Sequence, residues 1–211
     1  MSTVKIYQLD AFTTQLFGGN PAAVCPLKDW PETALMQRIA AENNLSETAF
    51  FVGRNGHYEL RWFTPEVEVN LCGHATLATA AVIFATMEPQ LMQLHFKTRS
   101  GQLVVVRETN NLAMDLPAQQ GKAIEIEEEL VDALGASPIQ VLENEDWLME
   151  FETEAQVADL KPNFEALSRL PARGFIATAP GAAKDVDFVS RFFAPSVGIN
   201  EDPVTGSAHC L

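Results

Sequence analysis

The stretch at positions 69–85, VNLCGHATLATAAVIFA, contains no Asp, Glu, Lys or Arg. From His74 to Phe84 it places Ala, Thr, Leu, Val and Ile on every face of a helix, whereas a helix at a protein surface keeps one polar face. We therefore expect a helix that is buried on all sides. Its small residues let neighbouring strands approach closely, which favours a sheet curled around a central helix.

The start of this helix is a candidate anion site. Gly73 and His74 begin it, and the first backbone N–H groups of a helix have no partner within the helix while its dipole adds positive charge there. Such an N-terminus binds carboxylates or phosphates. The alternative is structural: Gly73 permits a tight turn and His74 caps the helix.

A second stretch, GINEDPVTGSAHCL at 198–211, repeats this arrangement. Acidic residues precede a turn fixed by proline, and Thr205, Gly206 and Ser207 then begin what should be another helix containing alanine. Two such helix N-termini, one in each half of the chain, predict a site in a crevice between two lobes.

A third stretch, AAENNLSETAFFV at 40–52, places Glu47 directly before an apolar strand. A partly desolvated carboxylate favours its protonated form, which suits proton transfer near neutral pH. Glu47 is also compatible with a helix cap or an ordinary loop carboxylate.

Mixed strand and helix patterns occur in both halves, so we expect an α/β (α+β) chain of two similar lobes, residues 1–118 and 119–211. The first lobe should hold a helix near 31–42 and a hairpin over 102–118, and the second a helix ending at Gly135. The buried stripe predicted for the 31–42 helix comprises Leu35, Met36, Ile39 and Ala40.

Charge and composition exclude several classes of protein. Fourteen Lys and Arg against 28 Asp and Glu give a net charge of −14, which repels nucleic acids and anionic membranes. Cys25, Cys72 and Cys210 are too far apart for a disulfide framework or a metal-binding pair. With no secretion signal, no membrane-length apolar run and no dinucleotide-binding glycine motif, we expect a cytoplasmic protein without metal or cofactor.

Together these stretches resemble the PhzF-like (phenazine-biosynthesis) isomerase family, whose wider fold group includes diaminopimelate epimerase. The resemblance implies two lobes, each a barrel-like, mostly antiparallel sheet around a central helix, and a homodimer. It also implies a cofactor-independent proton transfer on a small carboxylate-bearing substrate such as a cyclic amino or hydroxy acid. The matching segments are DAFTTQLFGGNPAAV (10–24), NNLSETAFF (43–51), LRWFTPEVEVNLCGHATLATA (60–80), MDLPA (114–118), DFVSRFFAP (187–195) and GINEDPVTGSAHC (198–210).

Residue by residue, the resemblance assigns catalysis to Glu47, His74, Asp202 and Ser207. Gly73, Thr205 and Gly206 would then bind the substrate carboxylate through backbone N–H groups.

Two departures from the family pattern leave alternatives open. Diaminopimelate epimerase uses two facing cysteines, and only Cys72 stands at such a position here, so a thiol-dependent epimerase using Cys72 is the alternative reaction. Family members also continue beyond the position of Leu211, so we expect an incomplete second lobe that exposes apolar surface. A ligand-binding protein without catalysis is the third possibility.

Overall fold

Two separate sheets organise the chain in the computed structural model, which describes residues 3–15, 17–116 and 118–211. Unit 1 comprises Met1–Pro117 and unit 2 comprises Ala118–Leu211. Each unit has its own core, and each is described separately below.

In its described residues, 3–15 and 17–116, unit 1 contains a mostly antiparallel sheet of eight strands and two helices. The strand order is β1-β2-β3-β4-β6-β7-β8, with β5 beside β4. The β2/β3 and β4/β6 pairs are parallel and the other described pairs are antiparallel. The elements are β1 (Tyr7–Ala11), β2 (Asn20–Pro26), α1 (Thr33–Asn43), β3 (Glu47–Arg54), β4 (His57–Phe63), β5 (Glu68–Val69), α2 (Gly73–Thr86), β6 (Gln93–Thr98), β7 (Gly101–Arg107) and β8 (Leu112–Asp115).

Helix α2 is the central helix predicted from the uncharged stretch. It contacts β1 and β8, the first and last strands of the sheet order, as well as β2 and β3, so the sheet curls around it. Burial is incomplete, however, because Leu77 and Ala81 are half-buried and Ala85 is exposed. These residues are four positions apart and form one stripe along the helix, so the expectation of burial on every face is wrong for this stripe.

Strand alternation decides which residues face α2. Successive side chains point to opposite faces of a sheet: Ala22 and Val24 of β2 pack in the core around α2, whereas Cys25 packs with Met36 of α1 on the other face. The predicted stripe of α1 is correct for Met36 but wrong for Leu35, which is 41% exposed.

Unit 2 contains six strands in the order β14-β13-β12-β11-β10-β9, of which only β11 and β12 are parallel neighbours. Its elements are β9 (Lys122–Ile124), α3 (Glu128–Leu134), β10 (Gln140–Glu143), β11 (Asp146–Glu150), α4 (Glu154–Asp159), α5 (Phe164–Leu167), β12 (Gly174–Pro180), β13 (Phe188–Ala194), β14 (Ile199–Asp202) and the short 3-10 helices Pro195–Val197 and Gly206–Cys210. Helix α3 ends at Gly135, as predicted, in a left-handed conformation with φ of 74°.

The two faces of this second sheet carry different partners. Helices α3, α4 and α5 cover the face that includes Phe175 and Phe193. The alternate residues Ile176 and Phe192 lie on the opposite face and pack against Ala208.

The segment in which we predicted the start of a second central helix forms the 3-10 helix Gly206–Cys210, a single short turn. Its residue Ala208 packs against Ile176 and Phe192, which are 2% and 8% exposed. Phe188 lies on the same face of β13 as Phe192 and is 52% exposed, so this face exposes apolar surface in part, as expected.

Among the described residues, no helix combines the length and the hydropathy needed to span a bilayer.

Candidate active site

Glu47 is the first residue of β3 and lies on the α2 side of the sheet. It has the same strand parity as Ala49 and Phe51, both in the core around α2. The parallel pairing of β3 with β2 places Glu47 opposite Ala22. Its side chain is only 13% exposed, so the strand delivers a largely desolvated carboxylate toward α2.

The N-terminus of α2 lacks the usual side-chain cap. Cys72 is the N-cap residue in an extended conformation, and its side chain makes no capping hydrogen bond. Its carbonyl accepts hydrogen bonds from the Thr76 backbone N–H at 3.2 Å and from the Thr76 hydroxyl at 2.6 Å. The first N–H groups of a helix have no acceptor within the helix, so Gly73 begins a helix end suited to an anion.

His74 connects this helix end to the carboxylate. Its Nε2 atom lies 3.3 Å from Oε2 of Glu47, and its Nδ1 atom lies 3.5 Å from Sγ of Cys72. Within the described part of the chain, Nε2 forms no hydrogen bond of good geometry although it is fully buried. A buried ring nitrogen of this kind calls for an explanation, and a bound ligand is one.

Burial keeps His74 neutral at physiological pH. Desolvation lowers the pKa of the imidazole from 6.5 to about 4, although a hydrogen bond with the backbone of Pro21 opposes this fall. The contact with Glu47 is therefore not an ion pair near neutral pH. One ring nitrogen of a neutral imidazole donates and the other accepts, so His74 offers both functions at once.

Sequence reasoning missed Asn20. This residue starts β2, is completely buried and has the strand parity of Ala22, which places it on the α2 side. The sequence around it contributed to the predictions only as part of the family segment 10–24. A buried amide beside Pro21, whose backbone contacts His74, is a candidate for orienting the imidazole or a ligand.

The remaining predicted site residues belong to unit 2. Asp202 is the last residue of β14, and the Thr205 hydroxyl donates a hydrogen bond to its Oδ2 atom. Thr205 is the N-cap of the 3-10 helix that contains Gly206 and Ser207. These four residues form one compact turn, whereas Glu47, Gly73 and His74 come together in unit 1.

Glu47, Cys72 and His74 also form a potential set of metal ligands. One ligand atom from each lies within 4.8 Å of the other two. The three side chains offer carboxylate, thiolate and imidazole donors, which are the donor types found at zinc sites. Sequence spacing indicated no such cluster, because Glu47 reaches the other two only through the sheet pairing.

A groove of about 690 Å³ in unit 1 is separate from this cluster. Its walls include Leu9 to Thr14, residues 108 and 110–112, and the α2 residues Leu77, Ala78 and Ala81. The groove therefore follows the incompletely buried stripe of α2, and Glu47, Cys72 and His74 do not line it.

The Phenazine biosynthesis-like protein model (PhzC-PhzF) matches residues 9–211. The chain belongs to this family. A Pseudomonas aeruginosa protein named as an uncharacterized isomerase is 53% identical over 206 residues, which cover 98% of this chain and 79% of the relative.

Solved structures agree with this family assignment. The crystal structure of a PhzF family protein from Enterococcus faecalis superposes with a TM-score of 0.92 at 46% identity, covering 98% of this chain and 79% of that one. A predicted epimerase from Pseudomonas aeruginosa has a TM-score of 0.70 at 20% identity, covering 98% and 79% of the two chains, and supports the fold alone. The predicted family and epimerase-like α/β fold are thus confirmed, and the enzyme class of this PhzC-PhzF family member is isomerase.

Proposed function

We propose that this isomerase moves a proton within a small carboxylate-bearing molecule, with Glu47 as the general acid and base and without a cofactor. The observation that carries the proposal is the contact between the Glu47 carboxylate and the buried His74 imidazole, 3.3 Å apart, at the N-terminus of α2. A carboxylate poised beside a neutral donor and acceptor is suited to accepting and returning a proton.

The reaction balances without any redox partner. The Glu47 carboxylate removes a proton from a carbon of the substrate, and the electron pair of the broken C–H bond stays on the substrate as a delocalised anion. The resulting carboxylic acid then returns the proton to a second carbon. N–H groups at the start of α2, around Gly73, would hold the substrate carboxylate and stabilise the developing charge.

His74 would support this cycle as a neutral group. Its pKa of about 4 means that it carries no charge near pH 7. It can donate to the ionised carboxylate or to a polar group of the substrate through one nitrogen. Desolvation is the main cause of the low pKa.

Asp202 and Ser207 are proposed as further catalytic residues on the family resemblance, with Thr205 and Gly206 as substrate-binding residues. The hydrogen bond from Thr205 fixes the orientation of the Asp202 carboxylate within unit 2. Asp202→Asn and Ser207→Ala should each lower turnover if these residues take part in the reaction.

The test is carbon-bound hydrogen exchange in deuterated water, run over a panel of small cyclic and acyclic amino and hydroxy acids. The wild-type chain should incorporate deuterium into at least one panel member. Glu47→Gln should lower the exchange rate about 10²- to 10⁴-fold, the usual contribution of a general acid or base, while binding of the same acid persists. Glu42→Gln, at an exposed position on α1, is the matched control and should exchange at the wild-type rate.

A thiol-dependent epimerase is the second candidate, because Cys72 Sγ lies 3.5 Å from the His74 ring at a helix N-terminus, a setting that favours thiolates. Cys72→Ala would then abolish exchange and Glu47→Gln would not. Carboxylate binding without exchange by the wild-type chain would instead identify a ligand-binding protein. The cytoplasmic location and the homodimer stay predictions.

A further inference from the structure

We propose that Glu47, Cys72 and His74 form a binding site for a thiophilic divalent cation such as Zn²⁺, and that this ion inhibits the isomerase. The first half of the inference depends only on the geometry of the three side chains. The second half rests on the proposed role of Glu47 in proton transfer.

The ligand geometry is close to that of a zinc site. Zinc bonds of about 2.1 Å to nitrogen and oxygen, at tetrahedral angles, separate those two ligand atoms by about 3.4 Å. Nε2 of His74 and Oε2 of Glu47 are already 3.3 Å apart. One ligand atom from each of the three residues lies within 4.8 Å of the other two. The Cys72 thiol now lies 3.5 Å from Nδ1, so completing three ligands requires it to move toward the Nε2 side of the ring.

The buried Nε2 atom is an independent indication of a ligand. Within the described part of the chain it has no hydrogen bond of good geometry, and the side chain of His74 is only 4% exposed. A neutral imidazole offers a lone pair without first losing a proton, as metal binding requires.

Charge balance favours a divalent ion. The thiolate of Cys72 and the carboxylate of Glu47 supply two negative charges and His74 supplies none, so Zn²⁺ makes the cluster neutral. Binding converts the Cys72 thiol into a zinc thiolate and releases its proton to solvent. With three protein ligands the fourth position stays open, and Glu47, now a ligand, can no longer remove a proton from a substrate.

Cobalt absorption tests the site without needing any substrate. The full chain is freed of metal with a chelator and titrated with Co²⁺, which gives thiolate charge-transfer absorption when bound to sulfur, and Zn²⁺ is then added in competition. We expect saturation at one ion per chain and loss of the absorption as Zn²⁺ displaces Co²⁺. Calorimetry in buffers with different ionisation enthalpies should show one proton released per ion.

Variants assign the ligands. Cys72→Ser should abolish the charge-transfer absorption and weaken Zn²⁺ binding about 100-fold or more, since even loss of a supporting residue costs 10- to 100-fold. His74→Asn should weaken binding similarly and gives a second measurement if the first variant does not fold. Cys25→Ser and Cys210→Ser remove the other two buried thiols and should bind like the wild type.

The proposal is overturned if the wild-type chain shows no charge-transfer absorption with Co²⁺, or if Cys72→Ser binds both ions as the wild type does. Inhibition is measured separately as loss of deuterium exchange on addition of Zn²⁺. If Glu47→Gln proves to exchange normally, the proposed function fails while the cobalt result still decides whether the metal site exists.

Discussion

Acid should destabilise unit 1 through His74, and the size of the effect follows from its burial. The pKa of the imidazole is about 4 in the folded chain, against 6.5 as its ordinary value. Between these values the unfolded chain binds a proton that the folded chain does not, so the stability contributed by neutral His74 is complete above pH 6.5 and is lost as the pH falls toward 4.

The difference in pKa corresponds to about 3 kcal/mol over the whole range, since one unit is worth about 1.4 kcal/mol. Between pH 7 and pH 5 the linkage relation gives a loss of about 2 kcal/mol. Because His74 is only 3% exposed, solvent screening removes little of this amount.

Urea unfolding at a series of pH values measures the effect. A Trp147→Phe background leaves Trp30 and Trp62, both in unit 1, as the fluorescent reporters. The free energy of unfolding is compared between this background and the same chain carrying His74→Gln, which has no titrating ring. Both proteins also carry Glu47→Gln, because this carboxylate contacts the ring. The other histidines and the remaining carboxylates then contribute equally to both proteins, so the difference in pH dependence isolates His74.

Two results would refute the reasoning. One is an unchanged pH dependence in the His74→Gln chain. The other is an NMR titration of His74 with a midpoint near 6.5, which would mean that desolvation does not lower its pKa in the folded state.

Two pairs of matched substitutions test turns and helix packing by urea unfolding. Gly19 and Gly135 have nearly equal φ values of 73° and 74°. Gly135→Ala should lower the free energy of unfolding by only about 1 kcal/mol, through left-handed backbone strain. A Cβ at Gly19 would lie 2.1 Å from the Ala11 carbonyl oxygen, so Gly19→Ala should cost about 3 kcal/mol or more, and equal costs would contradict this. Ala80→Leu, on the completely buried side of α2, should cost about 1 to 3 kcal/mol by overpacking. Ala85→Leu on its exposed side should change the free energy of unfolding by less than about 0.5 kcal/mol. A similar loss in Ala80→Leu and Ala85→Leu would mean that packing inside the curled sheet does not determine whether α2 tolerates a larger side chain.

Local sequence patterns predicted α2 well because its role is encoded in its own composition. A helix with hydrophobic or small residues on every face has few stable environments other than the interior of a sheet. The stripe of Leu77, Ala81 and Ala85 was missed because its residues are as apolar as the buried ones. Its partial exposure reflects the open side of the sheet, which no local pattern specifies.

The approach of Glu47 to His74 could not be derived from spacing. It depends on the parallel register that sets Ala22 opposite Glu47, and a slip by one residue would turn the carboxylate to the α1 side of the sheet. The family resemblance named both residues together, whereas the residues alone left Glu47 equally compatible with a loop. The cluster with Cys72 was missed for the same reason.

The sequence predicted the start of a second helix at Thr205, Gly206 and Ser207, but not its 3-10 geometry. The segment forms the short 3-10 helix Gly206–Cys210. The Thr205 hydroxyl donates a hydrogen bond to Asp202, but it accepts none from the first backbone N–H groups and so does not cap the helix.

The N-terminus of α2 shows a similar conflict between stability and chemistry. A Ser, Thr, Asp or Asn at the position of Cys72 would stabilise the helix by about 1 kcal/mol through a capping hydrogen bond. Cys72 makes no such bond, and the first turn of α2 contains no acidic residue. The positive end of the helix dipole is instead approached by Glu47 from β3, a carboxylate that does not belong to the helix and can change its protonation state without uncapping it. A side-chain cap would occupy the N–H groups that a substrate carboxylate needs. The missing cap and the buried neutral His74 therefore both support the proposal that an anion binds at this helix end beside Glu47.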